Sequence, residues 1–261
     1  MTTVGIDCGT QRTKGVLTRE GRILATAVTR TDFDTKKAAE DVLAMLLHKS
    51  GLAGACTERI FITGVGAQTI RIGDGKINEI MSAAVGASHL MPGCRCVLDL
   101  GAERNRAIRL DEEHRVHGYE VNDKCASGSG TFIETMARVL GTTVEDFGDL
   151  ALQHKKDIIL SAQCVVFVES EVISLIHQNE NTADIAWGIL EGVASHIVGL
   201  TNRFGKVSNI CVVGGLSCNK GLMTALQKEM GQKITVAPYA EYASAYGAAL
   251  LAAEKTGSVI N

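Results

Sequence analysis

Two cysteines stand at points where a polar segment runs into a helical pattern of apolar residues. Cys125 lies in the run NDKCASGSG at 122–130, and Cys164 ends the run SAQC at 161–164. The unpaired N–H groups and the macrodipole at a helix N-terminus favour a thiolate over a thiol. The positions of Cys125 and Cys164 therefore predict metal, cluster or redox chemistry, with buried core thiols as the alternative.

Two aspartates and a lysine lie beside glycines at the ends of apolar strand patterns. Asp7 and Asp99 each begin an Asp-x-Gly sequence, and Lys14 ends the segment GTQRTK at 9–14. The backbone N–H groups of such a loop would wrap a phosphate while Lys14 supplies positive charge. The two carboxylates would hold Mg²⁺ through water, since Mg²⁺ takes few carboxylates and keeps several waters. Asp7 and Asp99 are therefore predicted catalytic residues.

A third glycine segment, VGGLSCN at 213–219, follows a buried strand pattern and opens a helical one. Its glycines would let the backbone approach a flat adenosine without a side-chain clash. Each segment alone is more typical of a simple turn, because Asp and Gly are common turn residues. Together the three segments predict a nucleotide site. Its candidate binding residues are Gly9, Thr10, Thr13, Lys14, Gly101, Gly214, Gly215 and Asn219, together with Gly128 and Gly130 from the run that carries Cys125.

Apolar patterns that occur twice along the chain place these segments. In the first half, the pattern predicts strands at 4–7, 14–18, 23–29 and 59–66 and helices at 35–49 and 77–90. The second half predicts strands at 96–101, 106–110, 117–121, 209–214 and 234–237, and helices at 128–140, 165–176, 183–203, 220–230 and 242–255. Both halves open with an apolar residue before Asp-x-Gly. This repetition predicts a duplicated α/β unit with the ligand in a cleft between two lobes.

The predicted lobes are formed from different parts of the chain. The first lobe takes residues 1–95 with the first phosphate loop and is completed by the C-terminal helix at 240–256. The second lobe takes residues 96–239, which carry the second phosphate loop, both candidate cysteine ligands and the adenosine segment.

Composition narrows the class of partner and the compartment. The 261 residues carry a net charge of −3 without a cluster of basic residues, which argues against nucleic acid as a partner. No apolar run approaches the roughly 18 residues of a membrane span, and Met1 leads into a strand pattern without a secretory signal. The eight cysteines are therefore expected to be reduced thiols in the cytoplasm.

Most of the other cysteines are expected to pack as small hydrophobic residues. Cys8, Cys56, Cys96 and Cys211 lie in or beside apolar segments, where a free cysteine packs well. Cys94 and Cys96 have the spacing of a chelate. Because Cys96 opens an apolar strand pattern, packing is favoured over ligation for this pair.

The order of the three glycine segments resembles the phosphate-1, phosphate-2 and adenosine arrangement of the actin, 70-kDa heat-shock protein and sugar-kinase superfamily, which has a ribonuclease H-like fold. The segments around Cys125 and Cys164 closely resemble those of the activator ATPases of 2-hydroxyacyl-CoA dehydratases and the ATPase subunits of benzoyl-CoA reductase, the BadF/BadG/HgdC type. This resemblance implies ATP or ADP, Mg²⁺ and one [4Fe-4S] cluster shared across a subunit interface. Two thiolates from each of two subunits would complete its four ligands.

The second phosphate loop departs from that of the dehydratase activators, which carry Asp-x-Gly-Gly-Gln-Asp. Here Ala102, Glu103 and Arg104 stand in place of the second Gly, the Gln and the last Asp. The loop is similar to the Asp-x-Gly-Ala-Glu variant in the shorter ATPase subunit of class I benzoyl-CoA reductases. That resemblance implies a heterodimer with a longer homologous ATPase subunit, two substrate-binding reductase subunits and reduced ferredoxin as electron donor.

The same resemblance implies that ATP hydrolysis drives low-potential one-electron transfer to the subunits that reduce the aromatic ring of benzoyl-CoA. Glu103 is the third predicted catalytic residue, because it would act as a base or repel the γ-phosphate. Arg104 would offset that charge or clamp phosphate. Either Glu103 does the work of the glutamine with an altered pH dependence, or this site hydrolyses slowly and the partner subunit performs most of the turnover.

Three other functions stay open. A homodimeric activator of a 2-hydroxyacyl-CoA dehydratase would use the same chemistry, but the residues Ala102 and Glu103 argue against it. A sugar kinase would need a catalytic Asp beside a sugar pocket, and the region around Cys125 offers cysteine and glycine instead. An actin-like filament protein has no use for paired thiolates.

Glu169 and Glu171 are either nucleotide or subunit contacts or part of a solvated helix face, with neither interpretation favoured.

Overall fold

The computed structural model describes residues 1–52, 57–122, 129–160 and 165–254. The chain divides into two compact units. Unit 1 contains Met1–Val97, Ile108–Gly118 and the C-terminal part from Ala237 on, and unit 2 contains Leu98–Ala107 and Tyr119–Val236. The described residues form two five-stranded sheets and eight α-helices. The predicted α/β class is therefore confirmed.

The first sheet and three helices share unit 1. They are β1 (Thr2–Cys8), β2 (Arg12–Arg19), β3 (Arg22–Arg30), α1 (Thr35–Ser50), β4 (Arg59–Thr63), β5 (Gly75–Lys76), α2 (Glu79–Leu90) and α8 (Ala243–Glu254). The strand order is β3-β2-β1-β4-β5, with β1 antiparallel to β2 and parallel to β4. One face of the sheet packs on α1, where Val4, Ile6 and Leu46 belong to one buried core.

Helix α8 packs closely on the opposite face of the first sheet, because small residues lie at the contact. The hydroxyl of Thr3 donates to the carbonyl of Ala249 at 2.7 Å. A Cβ on Gly5 would stand 1.9 Å from the carbonyl oxygen of Ala245, and a Cβ on Gly247 would stand 1.9 Å from a carbonyl oxygen of α2. Glycine at these positions lets backbone approach backbone. Helix α8 is therefore packed directly between β1 and α2.

The second sheet repeats the order of the first. Its strands are β6 (Cys96–Leu100), β7 (Asn105–Leu110), β8 (Val116–Asn122), β9 (Ile210–Val213) and β10 (Ile234–Val236). The order β8-β7-β6-β9-β10 puts the first strand of the segment at the centre, as the order β3-β2-β1-β4-β5 does for β1. This repeated order supports the predicted duplication.

Five helices belong to unit 2: α3 (Gly130–Val139), α4 (Val144–Ala151), α5 (Val165–His177), α6 (Thr182–Asn202) and α7 (Lys220–Met230). Helix α6 packs against α4 and α7. Among the described residues, α6 alone is long and apolar enough to cross a membrane by length and composition. Its most apolar stretch is 67% buried inside the protein, as in the core helix of a globular unit.

Three elements differ from the predicted ones, and one of them is β5, whose two residues are too few to give a strand pattern. The sequence pattern does not predict α4, because its eight residues are too few to show a helical period. Its signal is the Thr-x-x-Asp spacing of Thr143 and Asp146, in which the hydroxyl of Thr143 accepts the N–H of Asp146 at 3.1 Å. The strand predicted at 59–66 ends at Thr63 instead, because Gly64 has a φ of 93° and a short 3-10 helix follows.

Candidate functional site

The carboxylate of Asp7 lies at the carboxyl end of β1, directly across from Lys14 on β2. The two residues are partners in the antiparallel register, so their side chains share one face of the sheet. Asp7 is partly buried, and Lys14 is 8% exposed. The turn at 9–11 therefore has a negative and a positive group at its base, on the same side of the sheet.

Main chain approaches this turn closely at two glycines. A Cβ on Gly9 would stand 2.8 Å from the carbonyl oxygen of Arg12, and a Cβ on Gly64 would stand 2.6 Å from Oδ1 of Asp7. Gly64 also has a φ of 93°, which residues with a side chain rarely adopt. The carboxylate of Asp7 is therefore bordered by main chain where β4 ends.

The two threonines predicted to bind phosphate are placed differently from Lys14. Thr10 is exposed in the turn. Thr13 is buried, and its hydroxyl forms a hydrogen bond with that of Thr31 at 2.8 Å. Because neighbouring residues of a strand face opposite sides of the sheet, Thr13 lies on the other face from Lys14. The hydroxyl of Thr13 is thus used within the sheet.

Asp99, in β6, forms a buried ion pair with Arg106 on β7. Nη1 of Arg106 donates to Oδ2 of Asp99 at 2.7 Å, and the two side chains are 9% and 7% exposed respectively. Arg106 is not among the site residues predicted from the sequence. A signal was nevertheless present, because Arg106 follows Asp99 at the same spacing at which Lys14 follows Asp7.

Backbone hydrogen bonds close the turn after Asp99. The N–H of Gly101 donates to the carbonyl of Arg104 and to Oδ1 of Asn105, both at 3.1 Å. A Cβ on Gly101 would stand 2.6 Å from the carbonyl oxygen of Arg104. Glu103 is exposed in this turn. The loop is therefore closed by hydrogen bonds at Gly101, and Glu103 is exposed to solvent.

The first turn of α3 is hydrogen-bonded to the same loop. The N–H of Gly130 donates to the carbonyl of Gly101 at 3.2 Å. The N–H and the hydroxyl of Thr131 both donate to the carbonyl of Ala102 at 2.8 Å. A Cβ on Gly130 would stand 3.1 Å from Cα of Ala102. Gly130 therefore contacts the loop itself, and the start of α3 is tied to the position of Ala102.

The segment predicted to bind adenosine borders Asp99 as well. Gly214 has a φ of 90°, and a Cβ there would stand 2.8 Å from Oδ1 of Asp99. Gly215 is exposed at the start of a short 3-10 helix. Asn219 caps α7, because its Oδ1 accepts a backbone N–H of that helix at 2.8 Å. Around the end of β6, unit 2 gathers four of the predicted residues: Asp99, Gly101, Gly130 and Gly214.

Both predicted cluster ligands, Cys125 and Cys164, lie outside the described residues, as does the predicted binding residue Gly128. Their roles stay predictions. A cavity of about 630 Å³ in unit 2 is nevertheless lined by residues that precede both segments, Asn122 before 123–128 and Leu160 before 161–164.

The described cysteines separate into packed and exposed thiols. Cys8, Cys96 and Cys211 are fully buried, which confirms their predicted packing, and Cys94 is buried beside Cys96. Burial raises the pKa of the Cys8 and Cys96 thiols to about 12 in each case. These thiols therefore stay protonated at neutral pH. Cys218 is exposed, and Cys56 lies outside the described residues.

Helix α5, which begins directly after Cys164, exposes apolar side chains. Val166 and Phe167 are each 67% exposed, and Ile173 is 42% exposed. Val168 and Val172 face the interior of unit 2. Contiguous exposed apolar side chains on a soluble protein mark interaction surfaces.

Comparison with known proteins matches the chain almost from end to end. The family model described as the BadF/BadG/BcrA/BcrD ATPase family matches residues 4–252. One of the benzoyl-CoA reductase subunits from Thauera aromatica is 34% identical, over 95% of this chain and 92% of its own. The solved structure of the activator of the 2-hydroxyisocaproyl-CoA dehydratase from Clostridium difficile with bound ADPNP is 31% identical, with a TM-score of 0.93 over 100% of both chains.

A more distant structure defines the fold class. A ROK family glucokinase from Streptomyces griseus, in complex with glucose and AMPPNP, has a TM-score of 0.59 over 98% of this chain and 100% of its own. Its sequence identity is 14%, so the likeness is one of fold. The predicted actin-like and sugar-kinase-like fold is therefore confirmed.

Proposed function

Because the chain belongs to the BadF/BadG/BcrA/BcrD ATPase family, we propose that it hydrolyses ATP to drive electrons from an iron–sulfur cluster into a partner enzyme. The pair of Asp-x-Gly loops is the observation that carries the ATPase part. Each loop has an aspartate at the end of a central strand, a cation at the same spacing and a positive-φ glycine against the aspartate. Such loops supply backbone N–H groups and charge for phosphates.

The acidic groups of the loops fit Mg²⁺. Each loop offers one strand-end carboxylate, Asp7 or Asp99, and the described residues contain no group of three or more His, Cys, Asp or Glu placed to hold a metal. That donor set suits Mg²⁺, which keeps several waters and takes other ligands from nucleotide phosphates. Lys14 would then neutralise phosphate charge at the first loop, and the exposed Glu103 would receive the proton of the attacking water.

Cys125 and Cys164 would provide half of the ligands of a [4Fe-4S] cluster. Asn122 and Leu160, which line one cavity, precede these cysteines by a few residues. In the sequence, Cys125 follows Asn122 by three residues and Cys164 follows Leu160 by four. This proximity supports a shared site. The bound cluster would supply a one-electron carrier, and a second subunit would supply the other two thiolates.

The apolar surface of α5 supports an interface beside the cluster. Val166 and Phe167 immediately follow Cys164 and are largely exposed. A subunit that contributes two cysteines to a shared cluster, or a reductase that accepts its electron, would cover such side chains. A cytoplasmic location would suit this function, because free cysteines stay reduced there and a low-potential cluster requires a reducing environment.

The hydrogen bonds between the second loop and α3 give a route from nucleotide to cluster. Ala102 lies in the loop that would face phosphate, and its carbonyl accepts two hydrogen bonds from Thr131. Cys125 precedes Thr131 by six residues. A displacement of the loop on hydrolysis would therefore shift the start of α3 and, through the chain, the cysteine. Such coupling requires that ATP bind two states of the protein with different affinities.

The sequence of the second loop favours the benzoyl-CoA reductase system. Ala102 and Glu103 match the Asp-x-Gly-Ala-Glu variant of its shorter ATPase subunit. On this interpretation the chain forms a heterodimer with a longer homologous ATPase subunit. The heterodimer passes electrons, received from reduced ferredoxin, to two substrate-binding subunits that reduce benzoyl-CoA.

A homodimeric dehydratase activator is the second candidate. The observation in its favour is the match to the dehydratase activator structure over the full length of both chains. Co-purification decides between the two candidates. A longer homologous ATPase and two reductase subunits would identify the reductase system, whereas a homodimer that activates an added 2-hydroxyacyl-CoA dehydratase would identify the activator.

Anaerobic purification with iron and acid-labile sulfide analysis tests the cluster. We expect about four irons per dimer and a [4Fe-4S] signal in electron paramagnetic resonance after reduction. Cys125→Ser and Cys164→Ser should each abolish that signal, whereas Cys218→Ser, which removes an exposed cysteine, should leave it unchanged. Iron-free protein with normal ATP binding would refute the cluster and leave the ATPase standing.

A further inference from the structure

The carboxylate of Asp99 has a close neighbour at each of its oxygens. Oδ2 accepts a hydrogen bond from Nη1 of Arg106 at 2.7 Å. Oδ1 lies against the main chain at Gly214, where an added Cβ would stand 2.8 Å away. Arg106 and Asp99 are also among the few charged residues of the described chain that are buried. The orientation and the charge of this carboxylate are therefore both set by its neighbours.

The cation at this position differs between the two loops. Lys14 occupies the position opposite Asp7, and Arg106 occupies the corresponding position after Asp99. An ammonium group is a compact charge on a flexible stem, whereas a guanidinium is planar and presents donors in a fixed fork. The second loop thus carries the cation that can fix the plane of a carboxylate as well as neutralise it.

We propose that Arg106 is a positioning residue for the metal–nucleotide complex at the second phosphate loop. This inference rests on the proposed ATPase function. With its charge neutralised by Arg106, the carboxylate of Asp99 would face Mg²⁺ without repelling the phosphates of ATP. Without Arg106, a buried unpaired carboxylate would repel metal-free ATP and attract Mg²⁺ directly, since charges interact strongly where water is excluded.

Two variants separate the charge of Arg106 from its geometry. Arg106→Gln keeps an N–H donor near Oδ2 but removes the positive charge. Arg106→Lys keeps the charge but loses the planar fork. Arg109→Gln is the matched control, because Arg109 lies on the same strand with an exposed side chain.

Titration of a fluorescent ATP analogue, with excess EDTA and with excess Mg²⁺, tests the proposal. For Arg106→Gln we expect the affinity for the metal-free analogue to fall roughly tenfold more than the affinity for its Mg²⁺ complex. For Arg106→Lys we expect both affinities to stay within about threefold of the unmodified protein, with a lower kcat for ATP hydrolysis and an unchanged KM. Arg109→Gln should behave as the unmodified protein in every measurement.

Equal losses of metal-free and Mg²⁺-bound affinity in Arg106→Gln would overturn the proposal, because a structural defect or a direct phosphate contact would not depend on the metal. If Arg106→Gln does not fold, as judged by circular dichroism, Arg106→Lys decides. An affinity loss in that variant would overturn the proposal, and unchanged affinities with a lower kcat would support it. If the unmodified protein binds neither form of the analogue, the ATPase function fails and this inference with it. Binding without the predicted metal dependence removes the inference alone.

Discussion

The carboxylate of Asp184 accepts the backbone N–H of Lys155 at 2.6 Å and that of Lys156 at 3.3 Å. Asp184 lies in the first turn of α6 and is 3% exposed. The two hydrogen bonds join the chain that follows α4 to the main helix of unit 2. The hydrogen bond from Lys155, followed by that from Lys156, holds the pKa of Asp184 below its usual value.

The lowered pKa of Asp184 predicts a pH-dependent contribution to stability. A carboxyl group whose pKa is lower in the folded state stabilises the fold above its unfolded-state pKa, about 3.9. That stability is present at neutral pH and is lost as the pH falls below this value. Asp184→Asn should therefore lower the midpoint of thermal unfolding at neutral pH, and the deficit should shrink towards about pH 3.

Thermal unfolding followed by circular dichroism over this pH range checks the prediction for Asp184. Asp32→Asn is the control, because Asp32 is exposed and the variant should unfold as the unmodified protein does. A deficit that is the same at every pH would mean that the shape of the side chain, and not its charge, provides the stability.

The contact between Gly247 and Ser82 predicts a large cost for one methyl group. A Cβ at 247 would stand 1.9 Å from the carbonyl oxygen of Ser82 and 2.8 Å from the nitrogen of Gly86. Because both of these atoms are backbone, α8 and α2 would have to move apart. Gly247→Ala should lower the free energy of unfolding by about 1–3 kcal/mol, measured by urea denaturation.

Gly199→Ala, in α6, is expected to have the opposite effect on stability. A Cβ at 199 would meet nothing within 4 Å, and alanine is the better helix former. This variant should raise the free energy of unfolding by about 0.5–1 kcal/mol. Equal effects of the two substitutions would show that the close approach of α8 to α2 does not limit stability.

The hydroxyl of Thr131 predicts a variant in which hydrolysis and electron transfer separate. Thr131→Val removes the hydroxyl donor to Ala102 but keeps the backbone N–H that also donates to it. Losing one such hydrogen bond weakens the connection between the second loop and α3 by about 1 kcal/mol. We expect ATP hydrolysis to be nearly unchanged and ATP-dependent electron transfer to a redox dye to fall several-fold.

Thr135→Val is the matched control for Thr131. The hydroxyl of Thr135 donates to the carbonyl of Thr131 at 2.9 Å, within α3, so its loss leaves the bonds to the loop intact. Both activities of this variant should match those of the unmodified protein. A parallel fall of both activities in Thr131→Val would contradict a coupling role and indicate a general defect of the nucleotide site.

The strands that carry the two loops were predictable from the amino-acid sequence. β1 and β6 are almost entirely buried, so each is a short apolar run, and an Asp-x-Gly sequence marks the end of each run. The helices α1, α2 and α7 were also predictable, because a glycine or proline follows the apolar pattern of each and marks its end. Local sequence was therefore sufficient to predict an element where a buried apolar segment is followed directly by a turn.

The ion pair of Arg106 and the location of Thr13 could not be predicted in the same way. Whether Arg106 reaches Asp99 depends on how β6 and β7 lie side by side. Which face Thr13 takes depends on the register of β1 and β2, in which a shift of one residue would exchange Thr13 and Lys14. The register between strands depends on the whole sheet and cannot be recognised in the sequence of one strand.

The hydrogen bond between Thr3 and Ala249 has a consequence for the order in which the protein is made. The two residues are 246 positions apart, so the ribosome releases β1 long before α8 exists to cover it. Contacts this distant along a chain form slowly. The side of β1 that carries Thr3 and Gly5 therefore stays uncovered until α8 has been synthesised.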